Sequence, residues 1–220
     1  MNPLAGSDRF EANCPSCGAP IKFTFKQAVQ TVCGFCKSVL VRQGVDLQLV
    51  GKVADPLTDA SPIQIATEGQ HGGQSFVVVG RIVYEYAGGR WNEWYLAFSN
   101  GSNGWLSDAQ LEYAVSFPVT AAVPDLLLRG HQFRLGDESF TVTSYTRARY
   151  VGVEGEMPFT TWDKTESTFA DLRSANRRFA TIDYSEQPPL VFAGLLVQKP
   201  IPGMGKKEDK QPKKRTNFSM

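Results

Sequence analysis

Residues 81–98 read Arg81-Ile82-Val83-Tyr84-Glu85-Tyr86-Ala87-Gly88-Gly89-Arg90-Trp91-Asn92-Glu93-Trp94-Tyr95-Leu96-Ala97-Phe98. Apolar and aromatic side chains alternate with polar ones on both sides of a glycine pair, the pattern of two strands and a hairpin. A two-residue primed turn at Gly88-Gly89 sets Tyr86 opposite Trp91, Tyr84 opposite Glu93 and Val83 opposite Trp94. One face then holds Ile82, Tyr84, Tyr86, Trp91, Glu93 and Tyr95, and the other holds Val83, Glu85, Asn92, Trp94, Leu96 and Phe98. Both faces carry apolar groups, so both are expected to be covered. Residues 63–198 continue in the same style, rich in β-branched and aromatic residues, with turn signals roughly every 8–12 residues. The expected fold is mainly β: a barrel- or sandwich-like domain. The short helix candidates are Ser107–Leu111 and Ala170–Arg173.

An internal echo runs through this region. Ser75-Phe76-Val77-Val78 resembles Ser139-Phe140-Thr141-Val142, 64 positions later. A duplicated β unit explains the echo as well as chance does.

Upstream lie the chain's 4 cysteines, Cys14, Cys17, Cys33 and Cys36, spaced C-x2-C-x15-C-x2-C. Two such pairs fit one Zn²⁺ in a closed shell of four thiolates. Gly18 permits the left-handed turn that aims backbone N–H groups at the sulfurs. Lys22, Lys26 and Lys37 can offset the −2 charge of the tetrathiolate centre. Ile21, Phe23 and Phe25 alternate with Lys22 and Thr24 as one strand, and Ser38–Val41 form another. So short a segment builds no core alone, and metal binding, worth on the order of 10–16 kcal/mol in zinc peptides, supplies the difference. A redox CxxC lacks its βαβ setting here, two structural disulfides lack a secretory signal, and a catalytic zinc would keep an open position. An iron–sulfur centre of the same spacing is the alternative to structural zinc.

The expected organisation is a flexible leader at 1–10, a zinc ribbon at 11–44, a connector with one strand at 45–62, the β domain at 63–198, and a disordered basic tail at 199–220. No run of 18 apolar residues exists to form a transmembrane helix. The cysteine usage and the N-terminus point to the cytoplasm. Net charge is +1, yet the tail from Lys206 to Arg215 carries 6 basic and 2 acidic residues, leaving −3 on the remainder. A slightly acidic folded part disfavours a broad phosphate-binding groove. The tail remains a candidate for peripheral contact with anionic lipid or nucleic acid.

Several side chains are candidates for a ligand or partner surface. Glu93, between two tryptophans on a buried strand, is a candidate base or cation ligand. Tyr84, Tyr86, Trp91, Trp94 and Tyr95 are a candidate aromatic cage for an organic cation, or else core. Glu154 and Glu156 flank Gly155 and share a face if extended. With Asp171 and Asp183 they would form an acidic pocket, unless Arg173, Arg177 and Arg178 neutralise them. No nucleophile elbow, P-loop or dinucleotide fingerprint is present.

The runs Gly80–Tyr86, Trp91–Leu96 and Gly104-Trp105-Leu106 resemble the bacterial domain-of-unknown-function family 4178. Glu154–Pro158, Asp171-Leu172-Arg173, Phe179–Tyr184 and Pro188–Gly194 look like its second half, so the resemblance spans roughly residues 63–198. A CxxC ribbon in front of the domain is a familiar arrangement in that family. The resemblance implies no activity. It implies only an association with genes for polyamine-synthase-like proteins and for membrane-stress or envelope systems. The resulting expectation is a non-enzymatic zinc-binding adaptor that captures a protein partner. The alternatives are binding of a small cation (a polyamine or a divalent metal) or catalysis by the carboxylates, and, last, nucleic-acid binding through the ribbon and tail.

Overall fold

The computed structural model describes residues 10–53, 61–124, 127–159 and 166–197. Among these residues there are 15 strands and no helix. The ribbon supplies β1 (Glu11–Asn13), β2 (Pro20–Lys22), β3 (Gln30–Val32), β4 (Ser38–Gln43) and β5 (Asp46–Lys52). Then come β6 (Glu68–His71), β7 (Gln74–Tyr86), β8 (Gly89–Phe98), β9 (Asn103–Ala109) and β10 (Glu112–Val119). The last group is β11 (Gln132–Leu135), β12 (Glu138–Met157), β13 (Glu166–Ser174), β14 (Arg178–Asp183) and β15 (Leu190–Val197). The expected leader beyond Phe10 and the basic tail lie outside the described residues. β5 falls where the connector's single strand was expected, and it pairs with β4 as part of the ribbon's sheet.

The second and third groups are one unit used twice. The β6–β7 pair Glu68↔Val77 recurs as Gln132↔Thr141, each partner 64 positions on. The bulge between Val78 and Gly80 recurs between Val142 and Ser144. The pairs Glu93↔Ser107 and Leu106↔Val115 recur as Phe169↔Asp183 and Ile182↔Val191, now 76 positions on. The core repeats with the backbone. Phe76, Val78, Leu96, Leu106 and Val115 are buried in one cluster, and Phe140, Val142, Leu172, Ile182 and Val191 occupy the same places in another.

The halves join at both edges. β7 pairs antiparallel with β12, and β10 with β15, which closes the order β7-β8-β9-β10-β15-β14-β13-β12 into a ring of eight strands. Closure removes the ring's open edges, and β7 and β12 also continue past it to pair with β6 and β11. A pseudo-twofold axis passes through both seams. Glu85 pairs with its own counterpart Arg149, and Phe117 with its counterpart Ala193.

The ribbon is bonded into this barrel. β3 pairs with the end of β12 through Thr31↔Glu156 and Gln30↔Met157. A third core cluster holds Cys14, Ile21, Phe23, Phe25, Cys33 and Leu40 together with barrel residues Val77, Ile82, Tyr95, Tyr150, Val153 and Met157.

Three local expectations change. The first hairpin turns at Ala87-Gly88, with Tyr86 opposite Gly89 and Tyr84 opposite Trp91. The register moves by two residues, so the composition of each face stands. Gly88 sits under the Tyr86 ring, where a Cβ would come within 2.6 Å. Both helix candidates are strand: Ser107–Ala109 end β9 and Ala170–Arg173 lie within β13. Pairing on both sides overrides their weak local preference. Gln110 and Leu111, at φ 51° and 70°, form the turn into β10.

Candidate functional sites: a barrel cavity and a four-cysteine centre

The ring surrounds a partly open cavity of about 1070 Å³, lined by side chains from all eight of its strands. Its lining contains six carboxylates, Glu93, Glu112, Glu166, Asp171, Asp183 and Glu186, against two guanidinium groups, Arg90 and Arg173. Both cations are already engaged, Arg90 with Glu85 and Arg173 with Glu112. The cavity is therefore acidic.

Glu93 points into it from β8. Its Oε1 accepts from Trp91 Nε1 and from Ser107 Oγ, each at 3.1 Å. Burial pushes the Glu93 carboxyl up to about 8; the Ser107 hydrogen bond opposes the rise, and the Asp171 and Asp183 charges add to it. Asp171, on β13, accepts from Ser144 Oγ at 2.8 Å. Asp183, on β14, accepts at Oδ1 from Ser167 Oγ (3.1 Å) and the Ser185 amide (2.8 Å), and burial raises its pKa. The Glu93 proton is thus held more tightly than usual, by burial first and then by two carboxylates contributed by the other half.

The aromatic candidates divide. Tyr84 stacks on Trp91 at 5.1 Å, Phe169 meets both edge-on at 5.0 and 5.5 Å, and Tyr86 closes on Trp91 at 5.6 Å. These rings pack on one another across the cavity and make a wall of it. Tyr84's hydroxyl is held well above its usual range, first by burial, then by Asp183 and Glu93. Trp94 is on the opposite face, 1% exposed, with the Arg81 guanidinium 4.8 Å above its ring. Its cation comes from within the chain. Tyr95 shares Glu93's face but lies farther along β8, packed on Phe25 of the ribbon at 5.6 Å.

Glu154 and Glu156 do not join Asp171 and Asp183. Gly155 takes φ 69°, so the segment is not extended, and a Cβ there would lie 2.3 Å from the Val79 carbonyl oxygen. Glu154 pairs with Arg81 at 3.2 Å, and Arg81 also donates to Asn92 Oδ1 from Nε (2.9 Å) and Nη2 (2.7 Å). Glu156, 7% exposed, reaches the ribbon. Its Oε1 accepts from the Thr24 amide (2.8 Å) and hydroxyl (2.7 Å), and its Oε2 from the Phe25 amide (2.7 Å). Of the arginines expected to neutralise the group, Arg173 takes Glu112 and Arg178 takes Glu138.

In the ribbon the two knuckles are copies. The Gly18 amide donates to the Cys14 carbonyl at 2.8 Å and the Lys37 amide to the Cys33 carbonyl at 3.0 Å. Both residues are left-handed, Gly18 at φ 75° and Lys37 at φ 62°. The second knuckle thus seats a lysine where the first uses glycine. Lys37 Nζ donates to the Gly34 carbonyl, whereas Lys22 is drawn off to Glu11 at 2.8 Å. The four sulfurs lie within 4.8 Å of one another, with Cys14–Cys36 and Cys17–Cys33 each at 3.7 Å. Ligands on a tetrahedral ion at Zn–S distances of about 2.3 Å are about 3.8 Å apart, so the sulfurs are set for one four-coordinate metal. Ser38, 3.1 Å from Cys36 Sγ, lowers that thiol to about 6 through side-chain and backbone hydrogen bonds. Among the described residues the cysteines are the group of three or more metal-ligating side chains that converges this closely; the cavity carboxylates do not.

The family model for a domain of unknown function, DUF4178, matches residues 64–199. The chain belongs to the DUF4178 family. The match covers the whole DUF4178 barrel, cavity included, and leaves the cysteine ribbon in front of it. No curated protein and no solved structure matches the chain. Among the described residues no helix is long and apolar enough to cross a membrane.

Sequence reasoning did not find Ser107, Phe169 or the latch made by Glu156. The first two become visible only when the repeat is aligned, because they occupy the positions matching Asp183 and Glu93.

Proposed function

We propose that the barrel binds a small organic cation in its interior. The observation that carries this reading is the charge of the lining: six carboxylates from both halves line one cavity against two arginines, of which Arg90 is held by Glu85 outside the lining and Arg173 offsets the lining's own Glu112. An acidic lining whose half-buried members are Glu93, Asp171 and Asp183 favours a cationic guest. The carboxylates are too dispersed to chelate one metal ion, which favours an amine-bearing molecule over a divalent metal. Titration with 1,4-diaminobutane, and with 1,4-butanediol as the uncharged control, tests it by calorimetry. The diamine binds and the diol does not, and Asp171→Asn, which removes a lining carboxylate, weakens the diamine by about tenfold, ~1.4 kcal/mol. Equal responses to diamine and diol, or none to either, overturn the reading.

The ion of the ribbon is proposed to be zinc in a closed structural role, on the four-thiolate donor set and the 3.7 Å sulfur separations. Elemental analysis is expected to find one zinc per chain. Iron in its place would refute this.

A second reading, docking of a protein partner on the ribbon, rests on a different observation. Phe35 at the second knuckle is 76% exposed, and Leu49 and Val50 on edge strand β5 are exposed as well. Phe35→Ser is expected to abolish partner capture while leaving stability within about 0.5 kcal/mol. Undiminished capture by that variant rules the reading out.

A further inference from the structure

Side chains that alternate along β8 link the two sites. Trp91 and Glu93 line the cavity, and Tyr95 and Ala97, next on the same face, are buried in the cluster that contains Cys14 and Cys33. Ile82 and Tyr150 belong both to that cluster and to the cavity wall, and Tyr84, Trp105 and Phe159 pack on its edge while lining the cavity. The ribbon therefore covers one end of the barrel's interior. Its contact runs through three rings: Phe25 on Tyr95 at 5.6 Å, then Tyr95 on Trp105 at 4.9 Å. Phe25 is held in turn by Glu156 Oε2 on its amide.

We propose that the ribbon is a stopper for the cavity and that metal in the four-cysteine centre keeps it seated. Strands β1, β2 and β3 have only 3 residues each. Without the metal as cross-link their pairing is too short to order the knuckles and the Phe23–Phe25 segment between them, because metal binding and folding are one equilibrium in such modules. Losing that order frees Phe25 and uncovers Tyr95, Val153 and Met157, so the wall at Trp105 loses the layer behind it. The effect is local, because the second half keeps its own core around Leu172 and Ile182. The consequence for ligand affinity rests on the cation reading above, but the loosening of the wall does not.

Hydrogen exchange on the full chain, metal-loaded and after chelation, tests the proposal. Amides of residues 93–107 are expected to exchange at least about tenfold faster without metal, and those of residues 178–197 to stay within about twofold. Faster exchange confined to residues 14–36 overturns the proposal, and so does uniform acceleration over the whole barrel. Phe25→Ala, which keeps all four cysteines, is expected to retain its metal and still loosen residues 93–107. Wild-type exchange there in the metal-loaded variant also overturns it. Should that variant not fold, Glu156→Gln serves the same comparison. The dissociation constant for 1,4-diaminobutane should rise at least about tenfold on chelation. If the diamine fails to bind even the metal-loaded protein, the cation reading is wrong and the exchange measurement still decides the stopper.

Discussion

The two halves of the barrel have the same strands, the same register and bulges at corresponding positions, yet their inward faces differ. Where the first half sets Glu93 across from Ser107, the second sets Phe169 across from Asp183. Where the first has Tyr95, packed under the ribbon, the second has Asp171, open to the cavity. The outward core positions, by contrast, are apolar in both. Packing restrains the outward face, because a core residue must fit its neighbours on every side. The inward face borders space, so each half could take different chemistry there. The candidate site lies where the repeat stops repeating.

The largest expected effect comes from exchanging a residue between halves. Gly80 corresponds to Ser144, and each follows its half's bulge. In the first half a Cβ at Gly80 would come 2.3 Å from the Glu156 carbonyl oxygen and 2.7 Å from Met157 Cε. Those two residues belong to the part of β12 that outruns β7 and has no counterpart in the first half. Gly80→Ser is expected to cost about 3 kcal/mol or more in chemical denaturation. Ser144→Gly, which loses the hydrogen bond to Asp171, is expected to cost about 1 kcal/mol. Equal costs would mean that the ribbon-bearing end imposes no special constraint.

Next comes the pH dependence of Glu93. Its carboxyl is raised from the ordinary 4.5 to about 8, so between those values the native chain binds a proton that the unfolded chain has released. The stability this contributes is fully present below about pH 4.5 and falls away as pH rises through about 8. Glu93→Gln removes that component, and its advantage over the parent chain should grow to about 2 kcal/mol or more by pH 8. Phe169 cannot titrate, so Phe169→Leu at the matching position should leave the slope alone. Parallel pH profiles for Glu93→Gln and the parent would show that burial does not hold the proton.

The smallest effect is at the partner positions. Ser107→Ala removes one hydrogen bond to Glu93 and is expected to cost about 1 kcal/mol, measured at pH 8, where the carboxylate needs the donor most. If Ser107→Ala destabilises more at pH 5 than at pH 8, the hydroxyl serves the neutral acid instead.

Much of this molecule is legible in its sequence. Cysteine spacing locates the ribbon because four ligands on one ion leave few geometries. Strict alternation from Ile82 to Tyr95 sorts the cavity face from the core face even when the turn is misplaced, since a two-residue shift preserves parity. The Ser75–Val78 and Ser139–Val142 echo reports the duplication because packing around Phe76 and Phe140 restrains both copies alike. What is hidden depends on closure. Nothing local places Asp171 and Asp183 beside Glu93, because the ring must close through β7–β12 and β10–β15 before their strands face one another. Glu156 is unreadable for a related reason: its partners are chiefly backbone amides 131 and 132 positions away, and amides carry no sequence signature. The expected acidic pocket failed at Gly155, whose left-handed turn sends Glu154 and Glu156 to different partners.

The seam between Glu85 and Arg149 has a consequence of its own. Those residues occupy the same place in the two units and face each other directly, with Arg149 Nε donating to Glu85 Oε2 at 2.9 Å. In an assembly of two identical chains, a residue on the twofold axis meets itself, so an acid would face an acid and a base a base. Covalent fusion lifts that prohibition. Once both units are written in one chain, each side of the axis can carry its own charge, and a place of enforced like-charge repulsion becomes an ion pair that only the joined form can have.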